Sequence, residues 1–497
     1  MKTSPRGSFA PLRGRPPRLD LRRLARLLGA GLFAASLAIA PALAAVAGSA
    51  PEAKAPAPAP AATGRPRSLG RVMDPVVVTG AALEKLAGKR PAHFQLFAYR
   101  IGRGFVPISF QVDERDSRGR YVFLSGPDTK KDEDGGLIDS NDELVFMAAD
   151  SGDEAGEDVW NPAAAGGAKI SVRDPVDEAQ SWAYLLPRGF LPETSPTDYV
   201  ILSEKDLEVS ARDYLFRYCR SAPIGFEYLA VRHGQEPPVN IVDRLKIRAW
   251  AKVLGMIKVS TTEADLQSSL RGSIDGPVRV IRRSRNAYEL GGIIPTIRAD
   301  AEATFYPNHF LFNLSGKMPF DADKISNRAQ LRVVVDYTKD IAGATFYTGS
   351  YEQGVLFDGK STSIPTREEL SRIPYQWGAI YGFGPGKRDG WFSRMIPGPT
   401  IPPWFDPYVV DNDGAADPPE REPGVHGIGF ISDRMVGMKG GDFWLESYLY
   451  RLDGFDVSQV PQYLNVSDKP LEAGVEILRV NGGSSEPPPN ISAGKAP

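Results

Sequence analysis

Apolar and polar residues alternate with a period of two along much of this chain. In VPISFQVDE, Val106, Ile108, Phe110 and Val112 alternate with Pro107, Ser109, Gln111 and Asp113. In RLKIRAWAKV, Leu245, Ile247, Ala249, Ala251 and Val253 alternate with Lys246, Arg248, Trp250 and Lys252, and LRVVVDY repeats the pattern with Leu331, Val333, Val335 and Tyr337. Side chains two apart on a strand project to one face, so this spacing predicts half-buried antiparallel strands with one wet face. Shorter β-prone runs predict further strands at 93–99, 142–148, 181–187, 198–203, 226–231, 278–283, 303–307 and 442–452. Helical periodicity is confined to TGAALEKLAG and TREELSRI, where Thr79 and Thr366 stand at N-cap positions. The expected fold class is all-β: a large antiparallel β-sandwich with few short helices.

The pattern breaks at both ends. Residues 1–47 run from a basic segment (eight Lys/Arg against Asp20) through the uncharged LLGAGLFAASLAIAPALAAVA to small residues, the order of an export signal. Ala42-Leu43-Ala44 and Ala45-Val46-Ala47 both suit cleavage; without cleavage the apolar run approaches the roughly 20 residues that span a bilayer and would act as an anchor. Residues 48–70 form a Pro/Ala-rich tether, and 481–497 a polar, Pro-rich tail, both expected to be disordered. Between them we expect a smaller β domain at 71–215 and a larger sandwich at 216–480.

Composition narrows the chemistry. The net charge is −2 overall, +7 in the first 47 residues and so −9 beyond them, which argues against a nucleic-acid binder. The single Cys219, in FRYCRS, excludes an internal disulfide and reads as a buried strand thiol. Four scattered histidines give no zinc spacing. With 50 Gly and 43 Pro the chain favours turns over long helices, which strengthens the β reading.

The GPVRVIRR strand and the TFYP strand after it, within a large exported antiparallel β protein, resemble the galactose-mutarotase-like β-supersandwich group over about 216–460. That resemblance implies a fold shared by carbohydrate-processing domains, lyase β modules and other exported bacterial proteins. It transfers no active site, because one fold hosts many activities.

Five groups of residues carry candidate chemistry. Asp128, Asp132, Asp134, Asp139 and Asp142 surround Gly135-Gly136, and flexible carboxylate loops of this kind hold calcium, although the EF-hand spacing is not met. Asp411, Asp413 and Asp417 form a second acidic cluster of the same flavour. Lys246, Arg248, Trp250 and Lys252 make a basic comb on one strand face, extended by Arg279 and Arg282 if their strand is adjacent; an indole among cations suits an acidic polysaccharide. Trp377, Trp391 and Trp404 lie in a Gly/Pro-rich stretch that either pins a loop or lines a groove. His426, in PGVHGIGF, is the first candidate for a general base, with Arg434 after it.

The function expected is an exported, periplasmic or extracellular, carbohydrate-binding or scaffold protein with an acidic-glycan surface. A polysaccharide lyase acting on uronic-acid glycans, or an envelope assembly component with a protein partner, stands as the alternative. Nucleic acid is not expected, and membrane contact is expected only through an uncleaved export segment. Amino-terminal sequencing of the exported protein is expected to start at Ala45 or Gly48; a start at Met1 would contradict the cleavage.

Overall fold

The computed structural model describes residues 64–129, 134–156, 166–191, 197–221, 224–234, 236–288, 297–360 and 364–478. The segment read as an export signal, most of the expected tether, Asp132 and residues 481–497 lie outside the described residues.

Alternation becomes register in the strand Val242–Val253. Leu245 and Ile247 stand opposite Val335 and Val333 of Ser326–Tyr337, which stand opposite Ile428 and Phe430 of Val425–Ser432. Partners in a ladder share a face, so these rows form one apolar surface, and Lys246, Arg248 and Arg332 fall on the other. With Ile257–Thr262 at one edge and Asp406–Asn412 at the other, this is a five-stranded antiparallel sheet, the central sheet.

Its apolar face packs on a nine-stranded sheet, the wide sheet, which runs in order Leu266–Asp275, Val280–Tyr288, Ile297–Phe305, His309–Met318, Gly441–Asp453, Asp389–Pro397, Trp377–Phe383, Thr345–Thr348 and Tyr351–Leu356. A four-stranded meander, Val200–Ser203, Glu208–Ala211, Tyr214–Tyr218 and Phe226–Val231, shares the same core. There Phe216 meets Phe305 and Phe310 with ring centroids 4.9 and 5.3 Å apart, geometry worth about 0.5–1.5 kcal/mol per aromatic pair beyond area burial.

The amino-terminal part forms a second, smaller sandwich. Pro75–Thr79, Glu143–Met147 and Gln111–Asp113 make a three-stranded sheet. It faces a five-stranded sheet of Glu472–Leu478, Gly167–Arg173, Gln180–Pro187, Phe94–Arg100 and Gly104–Ile108. Val76, Val78, Leu96, Leu144, Phe146, Ile170 and Leu185 fill the space between. A large β-sandwich preceded by a smaller one is therefore what the chain builds.

Several boundaries move. Gly64–Arg65, ahead of the expected start at 71, already pairs with Glu154–Ala155, and Arg65 lies over the Trp182 ring. The large core begins at Val200, not 216, and the strand Glu472–Leu478 returns to the smaller sandwich. TGAALEKLAG makes only a 3-10 helix, Gly80–Leu86, and Thr79 gives no side-chain cap, whereas Thr366 and Glu369 form a full capping box at Arg367–Leu370. Trp377–Phe383 and Asp389–Pro397 are strands, not loop: both faces are covered, so no polar alternation marks them. The helix Val460–Asp468 supplies one cover, with Tyr463 on Phe392.

Arg279 joins the two sandwiches. It is buried, and its guanidinium meets Asp113 at 2.7 Å, Glu143 at 2.6 Å and the Tyr306 hydroxyl at 3.1 Å, while Gln111 accepts from the backbone of Val278 and Arg279. Arg279 is thus no part of an open basic surface. Removing one member of a buried ion network leaves uncompensated charge, typically about 3–5 kcal/mol. Arg279→Met is expected to lower stability by about that amount in urea unfolding; an unchanged midpoint would contradict this role for the join.

Candidate functional site

The outer face of the central sheet is where the comb residues lie, and it divides into a closed half and an open half. In the closed half Lys246 is 1 % exposed, 2.7 Å from Asp336 Oδ2 and 3.5 Å from Glu420, and donates to the Asp417 carbonyl at 2.6 Å. Burial pushes the Asp336 carboxyl up, against the pull of Lys246. Arg248 pairs with the buried Glu263 and with Asp417, and Arg332 bonds Asp417 at 2.8 Å and the Tyr408 hydroxyl at 2.9 Å. The segment around Asp417–Arg421 covers these groups, anchored by Arg421 on Asp243. Lys246 and Arg248 are therefore neutralised internally and present no free cation to a ligand.

The open half holds a connected chain of planar side chains. Trp250 Nε1 donates to Gln330 Oε1 at 3.1 Å, and Gln330 Nε2 donates to Asp433 at 2.5 Å. Arg367 bridges Asp433 at 2.7 Å and Asp406 at 2.5 Å, and Asp406 accepts from Trp404 Nε1 at 2.9 Å. Lys258 lies 5.1 Å from the Trp250 ring centroid and Arg434 4.9 Å from that of Trp404. Trp250 and Trp404 are half-buried, and Arg434 and Lys258 are exposed. Among the described residues neither Arg434 nor Lys258 makes an ion pair. Beside this rim Trp250, Gln330, Ile401, Phe405, Met435 and Met438 line an apolar cavity of about 220 Å³ between the central and wide sheets.

Trp250, Trp404 and Arg434 are thus brought together, and Gln330, Asp433, Arg367, Asp406 and Lys258 join them. The spacing of Trp404 and Asp406, and the adjacency of Asp433 and Arg434, were visible in the sequence; that Gln330 stands opposite Trp250 required the strand register.

Lys252 stands two residues beyond Trp250 on the same face, opposite Lys258 and Arg328. The remaining candidates go elsewhere. Arg282 is buried over the Tyr218 ring, 4.3 Å from its centroid, near Glu204. Trp377 stacks on Phe392 under the carboxy-terminal helix. Trp391 is 2 % exposed, lines a second cavity of about 190 Å³ between the sheets, and its Nε1 has no hydrogen-bond partner among the described residues. These aromatics fill the interior because their strands are covered on both faces, so they line no surface groove.

In the acidic run, Asp128 forms a bidentate pair with Arg271, Asp134 accepts from Leu137 N, Asp139 caps Asn141 N, and Asp142 accepts from Arg115 N and Asp139 N. Asp132 lies outside the described residues. Among the described residues no three His, Cys, Asp or Glu side chains converge as a metal cage. In the second cluster Asp417 serves Arg248 and Arg332, and Asp411 serves His426.

His426 Nδ1 lies 2.6 Å from Asp411 Oδ1, and Asp411 Oδ2 accepts the backbone N–H groups of Asp358 and Gly359 at 2.7 Å each. The hydrogen bond that the imidazole donates to Asp411 raises its pKa above 6.5, against the effect of burial. His426 stands next to Gly427, which pairs with Asp336, while Gln330 is six residues away along the same strand; at about 3.3 Å per residue the open rim is about 20 Å from it. Arg434 is at the rim and does not partner His426.

No family model matches the chain, and no curated protein matches it. Among solved structures the chain is similar to an α-mannosidase from Enterococcus faecalis V583, with 8 % identity and a TM-score of 0.40 over 84 % of this chain and 45 % of that one. It is also similar to the α-N-acetylgalactosaminidase NagBb from Bifidobacterium bifidum, with 14 % identity and a TM-score of 0.32 over 52 % of this chain and 38 % of that one. The chain thus spans less than half the length of either enzyme. At scores this low the likenesses give it neither a fold family nor an activity.

Because the folded pKa of His426 is raised, its protonation stabilises the fold below the unfolded value near 6.5, and that contribution is lost as pH rises through the folded value. An NMR titration of the histidines is expected to place His426 above 6.5 and to bring it down in Asp411→Asn. A His426 titrating at or below the free imidazole value would contradict the pairing.

Proposed function

We propose that the protein is an exported carbohydrate-binding β-sandwich whose glycan surface is the open half of the central sheet. The observation that carries this reading is the hydrogen-bonded chain from Trp250 through Gln330, Asp433, Arg367 and Asp406 to Trp404. Indole rings meet the apolar faces of sugar rings, while fixed amide, carboxylate and guanidinium groups between them are matched to hydroxyls. Each ring nitrogen is already bonded, which holds the two indoles in place before a ligand arrives, and preorganisation of that kind favours affinity.

Selectivity for an acidic glycan rests, in this reading, on Lys258 and Arg434 rather than on Lys246 and Arg248. The first two are exposed and free of carboxylates among the described residues, so a uronic-acid carboxylate can bond them without displacing an internal partner. Binding rather than catalysis is favoured because the imidazole–carboxylate pair of His426 is about 20 Å from this surface along the strand. The basic, apolar and small-residue order of residues 1–47 supports export to the periplasm or beyond.

Calorimetric titration with glycans selected on an array tests the proposal. Trp250→Ala and Trp404→Ala are each expected to weaken binding about tenfold, a loss of about 1.4 kcal/mol, and Arg434→Gln to weaken uronic-acid glycans while sparing neutral ones. Glycan binding untouched by both tryptophan substitutions, or no binding to any glycan, would overturn it.

A further inference from the structure

The hairpin that ends the comb strand carries an apolar tip that the fold does not use. Val242–Val253 turns through Leu254, Gly255 and Met256 into Ile257–Thr262, the edge strand of the central sheet. Leu254 is 68 % exposed, Met256 81 % and Ile257 45 %. Leu254 also adopts φ +50°, a left-handed conformation that glycine and asparagine take readily and a bulky side chain does not. Turn chemistry alone would favour a polar residue there, so the folding of the hairpin does not account for leucine.

One residue behind this tip stands a row of like charges. Lys252 is directly opposite Lys258 on one side and Arg328 on the other, and partners in a ladder share a face. Like charges in direct register are destabilising, yet among the described residues none of the three makes an ion pair. Lys324, also exposed, lies on the adjoining segment, whose Ile325 carbonyl accepts from Leu254 N at 3.0 Å. An apolar leading edge backed at about 3.4 Å per residue by a cationic row is the arrangement that seats a protein in the interface of an anionic bilayer, apolar side chains among the acyl chains and cations at the phosphates.

We infer that the tip Leu254–Ile257 is a membrane contact that docks the protein on an anionic phospholipid surface, with Lys252, Lys258 and Arg328 facing the head groups. This goes beyond the glycan reading and does not depend on it. It is a contact made by the folded protein and is separate from the amino-terminal export segment.

Co-sedimentation of the exported form with sucrose-loaded vesicles tests it, since every variant carries the same amino terminus and differences between variants read the hairpin alone. The protein is expected to sediment with mixed phosphatidylglycerol–phosphatidylcholine vesicles, far less with phosphatidylcholine alone, and to be released as salt rises. Lys252→Gln and Lys258→Gln should each lower partitioning about fivefold. Leu254→Asn with Met256→Ser should abolish it; asparagine accepts the φ at 254, so this variant is expected to keep the wild-type thermal midpoint and its glycan binding. Absence of sedimentation with either vesicle, or sedimentation that the tip and lysine substitutions leave unchanged, would overturn the inference. A concentration-dependent dimer in ultracentrifugation that Met256→Ser dissolves, without vesicle binding, would assign the tip to a second copy instead and overturn it too.

Discussion

A lysine buried in the middle of a sheet face is the constraint around which the central sheet is arranged. Lys246 lies 2.7 Å from Asp336, and both are almost wholly buried. Removing two charges from water costs several kcal/mol per ion, which only close geometry and further hydrogen bonds offset. The Asp417 carbonyl and Glu420 supply those bonds from a segment far away in sequence, so that segment must lie across the sheet. Once it does, Asp417 also meets Arg248 and Arg332, and Arg421 anchors the cover on Asp243. One half of the outer face is thereby closed, and Trp250, Gln330 and the hairpin beyond them stay open.

The same sheet's inner face is governed by packing. Leu245, Val333, Val335, Ile428 and Phe430 line the inter-sheet cavity of about 190 Å³ that Trp391 also borders. Interiors are normally filled to crystal-like density, so two spaces between the central and wide sheets are departures from the usual rule. The one of about 220 Å³ has Trp250 and Gln330 in its wall, next to the polar rim, which makes that end of the sandwich the place where interior and surface chemistry meet. Arg279, holding Asp113 and Glu143, keeps the smaller sandwich on the far side of the wide sheet and out of this region.

How much of this the sequence carried depends on whether the informative partner was local. The alternation in RLKIRAWAKV places Lys246, Arg248, Trp250 and Lys252 on one face, and the structure keeps them there. It holds no information about Asp336, Asp417 or Glu420, whose side chains decide that two of the four are closed off. Trp391 and Trp377 misled because strands covered on both faces lose their polar alternation and, among Gly and Pro, look like loop. In the acidic run the residue types point to calcium, while the Asp128–Arg271 pair and the Asp139 cap on Asn141 N depend on partners that the local spacing does not name. The return of Glu472–Leu478 to the smaller sandwich is a pairing across some 300 residues, for which no local signal exists. The exposed tip residues were legible as letters, but their exposure follows from the strand's place at the edge of the sheet.

One half of the central sheet's outer face is closed and the other open, and lysine acylation read by mass spectrometry measures that directly. Lys246 is expected to resist modification in the native state while the exposed Lys258 and Lys324 react at rates near those of the unfolded chain. Acylation of Lys246 as fast as that of Lys258 under native conditions would contradict the closed half and, with it, the proposed glycan surface at the opposite end.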